Sequence, residues 1–223
     1  MGINTWYKPM KFALSIAIYL WTFGWILAYL KVKKQYIQYI SWGIAVSMLV
    51  EISLIMYQAF RGVPSHFNFS TGFDSIIFGV MGVLILINTL IIILCFLLFV
   101  ISKARLSSTQ LLSVRLGFLI FIVGNFIGSV MIGNGAHSIG VADGGPGLPF
   151  LNWSTQGGDL RVAHLLGLHS IQIIPLAGFY FERNYQHLIK YHKLFIILFT
   201  MLYAAIFAWT YYRAMAGIPV IGL

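Results

Sequence analysis

The sequence predicts an all-α integral membrane protein, a polytopic bundle of six transmembrane helices in a single domain over 1–223. Three observations carry that expectation. Hydrophobic residues make up 60% of the chain and charged residues only 9%, far less charge than a soluble domain needs to cover its surface. The apolar residues fall into six runs, each near the ~20 residues that a helix needs to cross the hydrocarbon core. The charged residues gather between those runs or at their ends, where Lys and Arg reach the lipid headgroups.

The first run covers 10–30, with Trp6, Tyr7, Trp21 and Trp25 as interface aromatics. It is too long for the apolar part of a signal peptide and lacks a small-residue cleavage site, so it reads as a retained span. A basic turn, KVKK, leads into the second run, 36–59, which carries Glu51 in its later half. The third run, 76–101, is the most uniformly apolar, interrupted mainly by Asn88 and Cys95. The fourth, 111–132, contains Gly124 and Gly128, a GxxxG pair that lets a neighbouring helix approach closely and marks a candidate helix–helix partner surface. A long glycine-rich loop follows. The fifth run, 160–181, contains Pro175, which is expected to kink it. The sixth, 194–215, follows the polar linker ERNYQHLIKYHK.

The basic residues give an orientation. Nine lie in or beside the linkers after spans one, three and five: Lys31, Lys33, Lys34, Lys103, Arg105, Arg115, Arg183, Lys190 and Lys193. Five lie on the opposite side: Lys8, Lys11, Arg61, Arg161 and Arg213. Positive-inside bias therefore places both termini outside. The net charge of +9 is spread along span ends, with no separate basic arm or helix, and does not describe a nucleic-acid surface. Cys95 is the only cysteine, so no disulfide forms within one chain and cysteine usage says nothing about redox compartment.

On this topology the two long loops share the outer side, and most of the polar chemistry gathers there. Glu51 is the sharpest signal, because a carboxyl some fifteen residues into a span costs several kcal/mol unless it is paired, protonated or hydrated. It is expected to act as a proton-relay or ligand-binding acid, or else to pair with Arg61 or Arg161. Gln58 follows two turns later on the same helical face. His66 and His137 lie in loops; His164 and His169 lie in span five, about 140° apart around a helix, with Gln172 between them in angle. Together these histidines and Glu51 are candidate ligands of nitrogen and oxygen type for a metal or a haem. The loop carboxylate Asp143 is a second candidate acid, and Arg61 and Arg161 could steer an anionic group.

The glycine-rich loop has its own physics. Gly144, Gly145, Gly147, Gly157 and Gly158 permit positive φ, while Pro146 and Pro149 stiffen the intervals. Loop backbone cannot face lipid, so the segment must lie in water or tuck into a bundle mouth, as Phe150, Leu151 and Trp153 favour. Asp159 is expected to cap span five. Neither an HExxH nor a phosphate-binding GxxxxGK[ST] occurs. Asn68-Phe-Ser70 and Asn152-Trp-Ser154 match the glycosylation tripeptide, which is used only on a eukaryotic secretory route.

The run DGGPGLPFLNWSTQGGDLRVAHLLGLH (143–169), with QAFRGVPSHFN (58–68), resembles segments of bacterial multi-pass inner-membrane proteins of uncharacterised activity. The resemblance implies a bacterial inner membrane and brings no ligand or reaction. The functional expectation is therefore built from residues: an outer-face polar site binding a metal or haem for redox or metal-assisted chemistry on a lipid-soluble or periplasmic substrate. The alternatives are a transporter or channel component using Glu51 and the 133–160 loop, and a non-catalytic membrane subunit. Membrane lipids are the expected surroundings, with a small lipophilic or anionic ligand at the site.

Overall fold

In the computed structural model, which describes residues 4–222, the chain is helical. Its six long helices are α1 (Tyr7–Leu27), α2 (Lys34–Phe60), α3 (Gly72–Ile101), α4 (Ser108–Asn134), α5 (Leu160–Asn184) and α6 (His192–Met215). All six are long and apolar enough to cross a membrane, the architecture of an integral, multi-pass membrane protein. Large apolar side chains such as Trp21, Leu86, Phe126 and Leu198 point outward, as they must when the surrounding solvent is hydrocarbon. The span ends expected from the sequence agree to within a turn or so.

Helix ends fall where side chains can satisfy loose backbone groups. Thr71 caps α3, its hydroxyl accepting from the Asp74 amide at 3.1 Å. Ser107 and Gln110 form a reciprocal capping box at the start of α4. Gly135 ends that helix with φ of +68°, the left-handed conformation that favours glycine. Asp159 caps α5 as expected, accepting from the Arg161 amide at 3.0 Å. Helix α5 continues through Pro175 to Asn184, and a short 3-10 helix, Gln186–Tyr191, leads into α6.

The chain forms two compact units, Met1–Arg105 and Leu106–Leu223. In the first, α2 packs against both α1 and α3. The inward face of α2 is the stripe Ile40, Ile44, Ser47, Met48, Glu51, Ile55 and Gln58, a spacing of three and four that keeps one side of a helix inward. In the second unit, α4 and α5 form the tightest helix pair, with α6 against them. Two features there position the polar residues, the first without a counterpart in the sequence and the second an outcome of the GxxxG pair. One is a short antiparallel ribbon pairing β1 (Ser138–Ile139) with β2 (Gly158–Asp159), which closes the glycine-rich loop at its base.

The other is the use made of the small residues. Gly124 meets Gly167 backbone to backbone: a Cβ added to Gly124 would lie 2.6 Å from the Gly167 Cα. Gly128 faces the His164 ring, Gly117 faces Ser170 and Pro175, and Gly178 faces Ser113. The register is antiparallel, and the GxxxG pair is occupied by α5 of the same chain. Close approach also lets α5 side chains reach α4 carbonyls. Ser170 Oγ donates to Gly117 O at 2.9 Å and His164 Nδ1 to Gly124 O at 2.8 Å.

Candidate functional site

Within each unit the polar side chains singled out from the sequence are held by hydrogen bonds of their own. In the first unit Arg61, the residue after α2, places Nη1 2.6 Å from Asp74 Oδ1 and 2.6 Å from Gln58 Oε1. Gln58 Nε2 in turn donates to Asp74 Oδ1 at 2.9 Å. The three side chains close a ring that joins the end of α2 to the first turn of α3. Thr71 Oγ1 donates to the other carboxylate oxygen, Asp74 Oδ2, at 2.6 Å. The guanidinium lies over the Tyr57 and Phe73 rings at 5.7 and 5.0 Å.

Glu51 lies on the same face of α2, about 10 Å from Gln58 along the helix axis by helical rise. It is 3% exposed. Its Oε2 atom has no hydrogen-bond partner among the described residues. The pairing with Arg61 expected from the sequence does not form, because Arg61 is taken by Asp74. Lys8, at the start of α1, is the basic residue that acts on Glu51 electrostatically. Between Glu51 and the Gln58 ring lies an apolar layer of Ile55, Ile77 and Met81, with Phe12 and Leu54 packed against it. One turn to the other side is Ser47, whose hydroxyl accepts from Asn88 Nδ2 at 3.4 Å. Asn88 Oδ1 accepts from the Tyr19 hydroxyl at 2.6 Å.

His66 is packed among aromatic rings, with Phe12, Phe67 and Phe78 at 5.7 to 6.2 Å and Ser65 Oγ 3.1 Å from its Nδ1.

In the second unit the glycine-rich loop is tied down by two carboxylates. Asp143 Oδ2 lies 2.7 Å from His137 Nδ1 and accepts from the His137 amide at 2.9 Å, while Oδ1 accepts from the Ser138 amide at 2.8 Å. Partial burial works against its charge, yet these hydrogen bonds hold its carboxyl well below the usual carboxylate range. Asp159 is buried and binds Arg161 through both oxygens, at 2.9 Å to Nε and 2.6 Å to Nη2. Arg161 Nη2 also donates to the Asn152 carbonyl at 2.5 Å, and Ser154 N donates to Asp159 Oδ2 at 2.8 Å. Arg161 therefore anchors its own loop. His164 is engaged by Gly124 O, and His169 shares a hydrogen bond with Gln172 one turn on.

Among the described residues no group of three or more His, Cys, Asp or Glu side chains is placed to hold a metal ion. The sequence singled out Glu51 and Gln58 but missed their companions. Ser47 is four residues before Glu51, a spacing that puts both on one face, and that was the available signal. Asp74, Asn88 and Tyr19 join only through tertiary packing. Compared with known proteins, the chain matches no family model, and no curated protein or solved structure shows significant similarity to it.

Proposed function

We propose that this chain is a proton-conducting or proton-coupled component of a membrane transport system, with Glu51 as the group that takes up and releases the proton. One observation carries the reading. A buried carboxyl sits in the apolar part of a span with an oxygen that nothing satisfies, an arrangement that is costly and that marks ion and proton pathways. The polar groups above and below it in the first unit support the same reading: Gln58 with Asp74 and Arg61 on one side, Ser47 with Asn88 and Tyr19 on the other. Charge bias places both termini outside, so the Gln58 end of α2 is the outer end. The resemblance to bacterial multi-pass proteins favours the inner membrane.

Purified protein in liposomes, with an imposed potassium-valinomycin potential and an internal pH dye, tests this directly. The wild-type chain should carry protons above the rate of empty liposomes, and Glu51→Gln should abolish that flux. Flux that survives Glu51→Gln, or never exceeds the empty-liposome rate, removes the reading.

A second reading, a metal or haem site serving redox or metal-assisted chemistry on a lipid-soluble or periplasmic substrate, rests on two histidines. A carboxylate and a carbonyl accept only, so Asp143 and Gly124 O make Nδ1 the donor in His137 and His164. The lone pair of each neutral ring is then on Nε2, the orientation by which a protein prepares histidine for a metal. An absorption spectrum and metal analysis decide it. A Soret band or stoichiometric metal that disappears in His137→Ala and His164→Ala would support it, and a colourless, metal-free protein would remove it.

A further inference from the structure

Glu51 lies between two polar layers of the first unit, and the Gln58–Asp74–Arg61 ring is the layer at the loop-side end. Water or a proton arriving from that end meets the ring first, then the Ile55, Ile77 and Met81 layer, then the carboxyl. We propose that the Arg61–Asp74 ion pair is a latch over this entrance, closed in the present structure, whose parting admits water to Glu51. The proposal rests on the reading of Glu51 as the proton carrier and adds the control of access to it.

Three features distinguish a latch from a permanent cap. Arg61 lies just beyond the last turn of α2 with its amide on the Tyr57 carbonyl, so its long side chain can swing away by rotating about its own bonds while the helix end stays capped. Its guanidinium is 28% exposed while Asp74 is 2% exposed, so the cation can leave toward the surface and the carboxylate stays. Neither charge is stranded when they part, which removes the usual large cost of opening a buried pair. Asp74 keeps the Thr71 hydroxyl at 2.6 Å and the Gln58 amide at 2.9 Å, at a helix N-terminus that favours negative charge. Arg61 keeps the Tyr57 and Phe73 rings, at a helix C-terminus that favours positive charge.

The experiment measures access to position 51 in the full chain in lipid nanodiscs. Glu51→Cys is placed in a Cys95→Ser background, and its modification by a water-soluble methanethiosulfonate is timed by mass spectrometry. Arg61→Gln and Asp74→Asn should each raise the rate about fivefold, the order expected when a single partly exposed ion pair is lost, and Arg61→Lys should stay near the parent rate. In a companion series that keeps Glu51 and the native Cys95, fully buried on α3, the same Arg61 and Asp74 substitutions report on general loosening. Unchanged rates at position 51 overturn the latch. A parallel rise at Cys95 in the companion series also overturns it, because the pair would then be holding the fold as a whole. Proton flux separates the two ideas. If Glu51→Gln abolishes flux while thiol rates are unchanged, the latch fails and the carrier stands. If thiol rates rise while flux ignores Glu51→Gln, the entrance stands and the carrier reading fails.

Discussion

Arg61 Nη1 lies 2.6 Å from Asp74 Oδ1, and that contact leaves Glu51, nearly three turns back along α2, without the arginine the sequence offered it. Arg161 is committed in the same way to Asp159, also at 2.6 Å. Each arginine is taken by a carboxylate of its own loop region, where chain connectivity makes the encounter cheap. The carboxyl in the apolar stretch remains buried, with an oxygen that lacks a partner.

Replacing Glu51 should therefore stabilise the protein. Glu51→Leu removes an unsatisfied buried oxygen and should add about 1–3 kcal/mol to unfolding stability, while Glu51→Gln should stay close to wild type. Reversible unfolding in mixed micelles measures both. A clear loss of stability in Glu51→Leu would show that the carboxyl is structural.

The α4–α5 seam gives a position-specific prediction. Gly124→Ala and Gly167→Ala each force a methyl group into backbone at under 3 Å and should cost about 1–3 kcal/mol. Gly128→Ala meets the His164 ring at 3.5 Å, ordinary contact, and should change stability by less than about 0.5 kcal/mol. Equal effects at 124 and 128 would mean that the crossing is not governed by that single contact.

Hydrogen bonds across the same seam should matter less than its spacing. Ser170→Ala removes the donor to Gly117 O and leaves Ser170's backbone untouched. Interhelical hydrogen bonds in membranes average about 0.6 kcal/mol, so this variant should be milder than Gly124→Ala in the same unfolding assay.

Asp143 sets an acid limit on the order of the glycine-rich loop. Its folded pKa lies below its unfolded value of about 3.9, so the stabilisation it supplies is complete above that unfolded value and is lost as pH falls toward the folded one. Protection of the His137 and Ser138 amides from hydrogen exchange, relative to the intrinsic rate at each pH, should be high near neutral pH, since both donate to Asp143, and fall on strong acidification. Asp143→Asn should lower that protection near neutral pH.

Much of the molecule was legible in advance because span formation is a local matter. An apolar run of sufficient length must close its backbone hydrogen bonds within itself in hydrocarbon, so α1 to α6 could be bounded without knowing their neighbours. Asp159 was likewise readable as a cap, since capping involves residues two or three apart. The candidate site was only half legible. Glu51 stood out by cost alone, and Gln58 by periodicity. What four histidines meet was not legible at all: packing gave His66 to a cluster of rings, His137 to Asp143 and His164 to Gly124 O, and His169 to Gln172.

The chain's composition and periodicity thus determined, without any tertiary information, six membrane-crossing helices, their ends, and one carboxyl in an apolar stretch. Only tertiary structure decided which carboxylate each arginine would meet, that the small residues of α4 would be filled by α5, and that Tyr19, Ser47 and Asn88 would join in one layer beside Glu51. The reason is physical. Hydrophobic length and helical hydrogen bonding act over a few residues, whereas a polar side chain in a membrane takes whichever partner packing brings within about 3 Å, and sequence distance does not set that choice.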